Sequence, residues 1–446
     1  MSSVLRWLRQ ERTRTLVLLA LIILLLPLAA VSAYTGARQL ITDADPCDLT
    51  PYWVSARLAR AGANPYATYA QDMALVRAQV PDSPDFVTRC NVTIEERPPL
   101  TTPTHILLML PFSFLDLRGA AIAWALLQIV SAVLLVPILL RYHEQAPGWR
   151  ITLLGVLLLL AWSPTRMAIS HGQITLLVTL FASLSLLLAR RDREVWAGIF
   201  LGLALSKFTL VGAVLIVLVV YRHYRTLGVA VLVQLAGFVL LALVVGESPV
   251  TTLQSYLSLV TTGADVQAPI ISGVISLDRW VGMLGLSATA ASLVTLLTGV
   301  LIGLALLLPR YLGELLAFRE PAGPRDALAL RRSNLLLNAL VPLTLLFTYH
   351  RTYDLVFLFV FVALLAGLEL PAEPGPRQRR CLAVWLATAL VLNAGLIAPP
   401  SLLGRLFGLE DAVMTVLVSG VLVVSTWLLY SCAPQPAGGA ARRGRR

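Results

Sequence analysis

The sequence LVLLALIILLLPLAAV, residues 16–31, is an uninterrupted apolar run without a single charged side chain. A helix needs about 20 apolar residues to cross the hydrocarbon core of a bilayer, and the neighbouring residues extend this run to a first span at 15–34. Similar runs recur along the chain, which is 57% hydrophobic and 13% charged, with a mean hydropathy of +0.79. This composition excludes an ordinary soluble domain and indicates an all-α polytopic membrane protein.

Division of the chain by the same length rule predicts about twelve transmembrane helices within an integral membrane domain at 1–432. Two of them are short for full crossings, and one long bent helix over the same residues is the alternative. The candidates are 15–34, 119–140, 151–165, 172–189, the short pair 195–206 and 209–221, then 227–246, 286–309, 333–348, 354–370, 381–398 and 411–431.

The arginines predict the orientation of these helices, because short cytoplasmic loops carry an excess of basic residues. The arginines occur in every second segment between the predicted helices, which places both termini in the cytoplasm. The basic tail at 433–446 is expected to be disordered. A surface that binds nucleic acid needs a clustered basic face, whereas these arginines form small groups between apolar runs. The net charge of +11 therefore reflects membrane orientation and contact with anionic lipids. The arginine-bearing segments are 6–14, 141–150, 190–193, 222–225, 310–332, 377–380 and 442–446.

The longest loop on the opposite face, 35–104, contains three carboxylates directly behind the first span, at Asp43, Asp45 and Asp48. A short helix is expected at 52–61, ending at a glycine. Residues 105–117 are apolar but too short to span, which indicates a re-entrant or interfacial helix. Cys47 and Cys90 both fall in the long loop, where an oxidising compartment would permit a disulfide; two unpaired thiols are the alternative.

Polar residues gather at several other predicted turns on the same face. Lys207, the single lysine of the chain, interrupts an apolar run, and Gly172-Gln173 opens the fourth span. His350, Arg351 and Tyr353 lie in the turn between the ninth and tenth spans. An ionisable group at membrane depth is costly, so Lys207 is either a cation for a lipid phosphate or a side chain that reaches the interface.

These residues form an ordered pattern that resembles glycosyltransferase family 87 of the GT-C superfamily, the polyprenyl-phosphate-mannose-dependent mannosyltransferases of actinobacteria and their relatives. The pattern covers roughly residues 40–355. It comprises Asp48-x-x-x-Tyr52-Trp53, Gly62-x-Asn64-Pro65-Tyr66, Pro98-Pro99 with Pro103, Gly172-Gln173, Leu205-Ser206-Lys207 and His350. The resemblance implies a GT-C fold in the plasma membrane, a polyprenyl-phosphate sugar donor, transfer to a lipid or glycan acceptor outside the cytoplasm, and an aspartate base in the first loop.

Each residue type suits a step of inverting sugar transfer. Asp48 is the candidate base for the acceptor hydroxyl, with Asp43 and Asp45 as rivals. Lys207, His350 and Arg351 are the candidate ligands of the donor phosphate, whose charge grows as it departs. The candidate substrate-binding residues are Tyr52, Trp53, Asn64, Tyr66, Gln173 and Tyr353.

The motifs that the sequence lacks narrow the range of possible functions. The sequence contains no metal or cofactor motif and no glycine-rich phosphate loop, which favours metal-independent transfer and argues against a nucleotide-sugar donor. A lipid-linked glycan flippase or secondary transporter is the main alternative. Transporters often carry internal repeats and charges near the membrane midplane, whereas here acids and aromatics are concentrated on one face.

Overall fold

A computed structural model describes residues 11–42, 48–79, 100–142 and 148–266, together with the short pieces 281, 285–287, 290–301, 340–341, 344–345 and 354–357. Throughout these residues the regular elements are helices. The longer ones are α1 Glu11–Thr42, α2 Leu49–Arg60, α3 Pro65–Gln71, α4 Met73–Ala78, α5 Pro103–Met109, α6 Leu117–Tyr142, α7 Trp149–Ala161, α8 Ser163–Ser170, α9 Thr175–Ala189, α10 Glu194–Ala204, α11 Phe208–Val220, α12 Tyr224–Val245, α13 Pro249–Val266 and α14 Ala290–Leu301. Short 3₁₀ turns cover Leu110–Phe114, Leu205–Lys207 and 354–357.

The described helices confirm an all-α membrane protein. By length and composition, four of them could cross a bilayer: Thr15–Thr42, Leu117–Tyr142, Glu194–Val220 and Tyr224–Val245. Their outer faces are apolar; on α12, for example, Leu232 and Leu243 are 62% and 71% exposed. Such exposure suits lipid, which solvates aliphatic side chains as well as a protein core does. The number twelve depends partly on residues outside the described ranges and stays a prediction.

Helices α7 and α8 form a fifth candidate span that is bent by 62°. The bend lies at Trp162, whose extended backbone (φ −72°, ψ 129°) separates the two helices. Pro164 lies in the first turn of α8, where a proline is tolerated because its missing N–H has no helical partner. The bend directs the chain from α7 across the end of α1 towards the start of α9.

Residues 194–220 form a hairpin, although length alone would make them one span. A continuous helix of 27 residues would be about 40 Å long and would keep its two ends far apart. Instead, His223 Nδ1 lies 3.1 Å from Glu194 Oε1, and the Thr226 hydroxyl donates to the Glu194 carbonyl at 3.3 Å. The chain reverses at Lys207, whose backbone is not helical (φ −128°, ψ 73°). The structure thus favours two antiparallel segments over the single bent helix.

The first segment of the hairpin, α10, packs closely on α12 because its glycines leave no side chains between the two helices. A Cβ at Gly198 would lie 2.5 Å from the Val229 Cβ, and one at Gly202 would lie 2.5 Å from the Val233 Cβ. Small residues are the usual means of close helix approach in membranes. With 11 and 13 residues, α10 and α11 extend about 17 and 20 Å, so the tip at Lys207 ends within the bundle.

Candidate active site

The turn His171-Gly172-Gln173 between α8 and α9, called here the corner, connects the elements of the candidate site. Gly172 has a left-handed backbone (φ +70°), and a Cβ there would lie 2.6 Å from the Cβ of Leu49. The Trp124 indole N–H donates to the Gly172 carbonyl at 2.8 Å. The glycine therefore lets the start of α2 and the first third of α6 meet at one point. Trp124 is seven residues from the start of α6, so the corner lies about 10 Å along the helix axis from that end.

Asp48 lies directly against the corner. Its backbone N–H donates to the His171 carbonyl at 3.1 Å, and its side chain does not cap the helix α2 that follows. The Oδ2 atom is buried and has no hydrogen-bond partner among the described residues. A buried polar atom without a partner is costly. This carboxylate oxygen can accept a hydrogen bond or a proton from a bound ligand.

Lys207 lies at the tip of the hairpin and contacts the other side of the corner. Its Nζ is 2.5 Å from Asp354 Oδ1, 3.0 Å from the Thr175 hydroxyl and 3.3 Å from Gln173 Oε1. The Thr175 hydroxyl also donates to Asp354 at 2.8 Å. The side chain of Asp354 is 3% exposed and that of Lys207 is 18% exposed, so the ion pair is largely buried. The sequence analysis missed Asp354 as the partner of this lysine.

The corner therefore separates two different chemical environments. His171 contacts Asp48 through its backbone carbonyl, and Gln173, two residues later, contacts Lys207 through its side chain. The carboxylate oxygen on one side lacks a partner within the described ranges, whereas the ammonium on the other has several polar contacts. An acidic group and a cation on opposite sides of one turn suit a ligand that spans both.

Two predicted substrate residues, Tyr52 and Trp53, follow Asp48 on α2. The Tyr52 ring packs on the His105 ring, with the centroids 4.3 Å apart. Trp53 is fully buried, its indole N–H donates to the Leu115 carbonyl at 3.3 Å, and the Arg57 guanidinium lies 4.6 Å above its ring. Trp53 therefore anchors α2 to the 3₁₀ turn after α5. Substrate contact stays a prediction for both residues.

Asn64 and Tyr66 hold the first loop in place. The Asn64 side chain accepts from the Tyr66 backbone N–H at 3.1 Å, as an N-cap of α3, and donates to Glu247 Oε2 at 2.6 Å, just beyond the end of α12. The buried Tyr66 hydroxyl donates to the Thr101 carbonyl at 2.9 Å. These bonds give the Gly62-x-Asn64-Pro65-Tyr66 motif a structural role, and its predicted contact with substrate is untested.

His105 is a further polar residue of the site that the sequence analysis did not assign. It is fully buried in α5, a helix too short to span a membrane, and neither ring nitrogen has a hydrogen-bond partner among the described residues. Burial, with the nearby positive charge of Lys207, lowers the pKa of its imidazole to about 3. The ring is therefore neutral at neutral pH. Its signal in the sequence was a lone histidine within the apolar segment 105–117.

Several predicted residues lie outside the described residues, and their roles stay predictions. They are the phosphate ligands His350 and Arg351, the substrate residue Tyr353, the rival acids Asp43 and Asp45, and the cysteines Cys47 and Cys90. Within the described ranges, no group of three or more His, Cys, Asp or Glu residues could hold a metal ion.

Comparison with known proteins agrees with the resemblance read from the motifs. The sequence profile described as glycosyltransferase family 87 matches residues 100–348, more than half of the chain. The matched segment includes His105, the corner and Lys207, whereas Asp48 precedes it. No curated protein and no solved structure matches the chain. The profile match shows that this chain is a membrane glycosyltransferase and belongs to glycosyltransferase family 87.

Proposed function

We propose that the protein transfers a sugar, mannose in our preferred assignment, from a polyprenyl-phosphate donor to a lipid or glycan acceptor. The acceptor hydroxyl oxygen attacks the anomeric carbon, Asp48 takes the hydroxyl proton, and the bond from that carbon to the phosphate oxygen breaks. The lipid phosphate leaves with the bonding electrons, and the anomeric configuration inverts. The observation that carries this proposal is the buried Oδ2 of Asp48, which has no partner among the described residues and lies on the opposite side of the corner from Lys207.

Asp48 suits the role of base because of its surroundings. A general base must come within hydrogen-bond distance of the proton that it removes, and Oδ2 is not engaged by another described residue. The residue is held against the corner by its backbone, because the Asp48 N–H donates to the His171 carbonyl. A hydroxyl group that donated to Oδ2 would supply the hydrogen bond that the described residues do not, and it would be aligned for proton transfer at the same time.

Lys207 suits the role of phosphate ligand if the phosphate replaces a neutral contact. An ammonium group has three N–H donors, and the distance from Lys207 Nζ to Gln173 Oε1, 3.3 Å, is longer than its distances to Asp354 and Thr175. A phosphate oxygen in place of Gln173 Oε1 would form a charge-assisted bond, which is stronger than a bond to a neutral amide. Asp354 offsets part of the lysine charge. His350 and Arg351, four and three residues before Asp354, are the proposed additional cations.

The site is proposed to face outside the cytoplasm, at the plasma membrane. Thr175, at the start of α9, contacts Lys207, whereas Arg190, Arg191 and Arg193 follow the other end of the same helix. Since α9 has 15 residues, its ends are about 22 Å apart. Arginine-rich short loops remain in the cytoplasm, so the Lys207 end lies towards the opposite face.

A transfer assay tests this proposal. The purified protein in lipid nanodiscs is given farnesyl phosphate carrying radiolabelled mannose, with a bacterial membrane lipid extract as acceptor. We expect label in a new glycolipid, and no transfer from nucleotide-activated mannose. Transfer from the nucleotide sugar alone would contradict the assigned donor. Movement of the labelled lipid across proteoliposomes without a new product would support the flippase alternative.

A further inference from the structure

We propose that His105 binds a hydroxyl group of the transferred sugar and thereby helps to set the sugar specificity of the enzyme. This inference rests on the proposed function and deepens it. It names a residue of α5 that contacts the sugar and not the phosphate or the lipid chain. That residue is not part of the ordered pattern that resembles the family.

The first observation is the isolation of the His105 ring nitrogens. The side chain is fully buried, and both Nδ1 and Nε2 lack hydrogen-bond partners within the described part of the chain. Buried polar atoms in folded proteins nearly always have partners, so such an exception requires an explanation. A ligand that supplies both a donor and an acceptor would satisfy the ring.

The second observation is the position of His105 between the two sides of the site. Its ring packs on Tyr52, one helical turn after Asp48, with 4.3 Å between the ring centroids. The charge of Lys207 acts on it from the hairpin tip. In the proposed reaction the anomeric carbon lies between the base and the phosphate. The sugar ring and its hydroxyl groups then lie beside the line from Asp48 to Lys207, within reach of a residue such as His105 that adjoins both sides.

The third observation is that other buried oxygens around His105 lack partners in the described ranges. They are the hydroxyl oxygens of Thr101 and Thr102, just before α5, and that of Ser206 beside Lys207. The Thr104 hydroxyl also lacks a partner there, but it faces Gly237 of α12 and is not counted in this set. Helix α5 packs against the hairpin tip that carries Ser206. Such a set of neutral donors and acceptors suits a polyhydroxylated ligand better than a phosphate, which binds cations.

The chemistry of the ring also favours a hydroxyl group. Neutral imidazole has one N–H donor and one acceptor nitrogen, and a hydroxyl group can serve both. Burial and the neighbouring lysine oppose the protonated form, in which both nitrogens would donate and which would suit an anion. His105 and Lys207 therefore divide the donor between them, the first binding the sugar and the second the phosphate.

The test compares the affinities of two lipids, farnesyl phosphate and farnesyl phosphate carrying mannose, by thermal shift in nanodiscs. His105→Phe keeps a ring on Tyr52 but removes both nitrogens. We expect it to weaken binding of the mannose lipid about 10-fold or more and to leave binding of farnesyl phosphate within about twofold. His105→Asn, which retains a donor and an acceptor, should recover part of the loss.

The matched control is His223→Phe, at the far end of α10, where the imidazole pairs with Glu194. The control variant should bind both lipids as the wild type does. The fold of His105→Phe is checked separately, by its melting temperature without ligand. Equal losses for both lipids, or no loss for either, would overturn the role of His105. If the wild type binds neither lipid, the inference and the proposed donor are both wrong. If the wild type binds both but transfers no sugar, the proposed reaction alone is wrong.

Discussion

The two sides of the corner differ in how completely their charged groups are satisfied. On the α2 side, Asp48 has a buried carboxylate oxygen without a partner among the described residues. On the hairpin side, Lys207 contacts Asp354, Thr175 and Gln173. A base needs an oxygen that no other residue occupies, whereas a cation deep in a membrane protein needs a counter-charge before ligand arrives. We therefore expect that substitutions on the two sides will alter the proposed proton transfer and the proposed phosphate binding separately.

The largest expected effect is on the α2 side. Asp48→Asn retains the shape of the side chain but cannot take the acceptor proton, so turnover should fall by about 10²–10⁴-fold in the transfer assay. Asp43→Asn and Asp45→Asn carry the same charge change nearby and should retain activity. If one of these controls loses transfer while Asp48→Asn keeps it, the base has been assigned to the wrong residue.

On the hairpin side, Lys207→Ala should raise the donor KM about 10- to 100-fold because the phosphate loses its cation. It also leaves the buried Asp354 without its counter-charge, and breaking such a pair costs about 3–5 kcal/mol of stability. The double variant Lys207→Ala with Asp354→Asn removes both charges. It should recover the melting temperature but not the KM. Recovery of both would make the ion pair purely structural and leave the phosphate without its proposed ligand.

A smaller effect is expected where the two sides meet. Gly172→Ala places a Cβ 2.6 Å from Leu49 and should displace the start of α2, lowering turnover about 10-fold through a shift of Asp48. Gly62→Ala is the matched control, because Gly62 also has a positive φ but a Cβ there has no atom within 4 Å. Both variants share the backbone strain, and only the first has the clash. Equal turnover in the two variants would show that the corner does not position the base.

The smallest effect concerns pH. His105 has a pKa of about 3 in the folded protein, below its ordinary value, so the unfolded chain binds more protons on acidification. This residue's contribution should therefore lower stability as the pH falls from about 6.5, and the melting temperature should drop more between pH 7 and 5 in the wild type than in His105→Phe. Parallel melting curves would indicate that His105 is protonated or has a partner in the folded protein.

The parts of the fold that depend on local sequence were predictable. The helix expected at 52–61 is present as α2, and the short pair expected at 195–206 and 209–221 corresponds to α10 and α11. Asn64-Pro65 carries a helix-start signature, since asparagine is a preferred N-cap and proline suits the first helical position. The structure shows that start at α3.

The missed features depend on distant parts of the chain. Asp354 is 147 residues from Lys207, and nothing local to either residue indicates that they pair. The partner of Asn64 is Glu247, which could not be identified without knowing where α12 ends. In the sequence His105 is one residue of an apolar segment. Its contact with Tyr52, and the lack of partners for its ring nitrogens among the described residues, arise only in the folded chain.

The central claim is that Asp48 acts on the acceptor proton and does not hold the donor. The most direct test measures donor binding and transfer on one preparation of Asp48→Asn. We predict that it binds farnesyl phosphate carrying mannose within about threefold of the wild-type affinity, while the rate of sugar transfer falls by at least about 100-fold. A parallel loss of donor binding and transfer would contradict the claim and make Asp48 a donor-binding or structural residue.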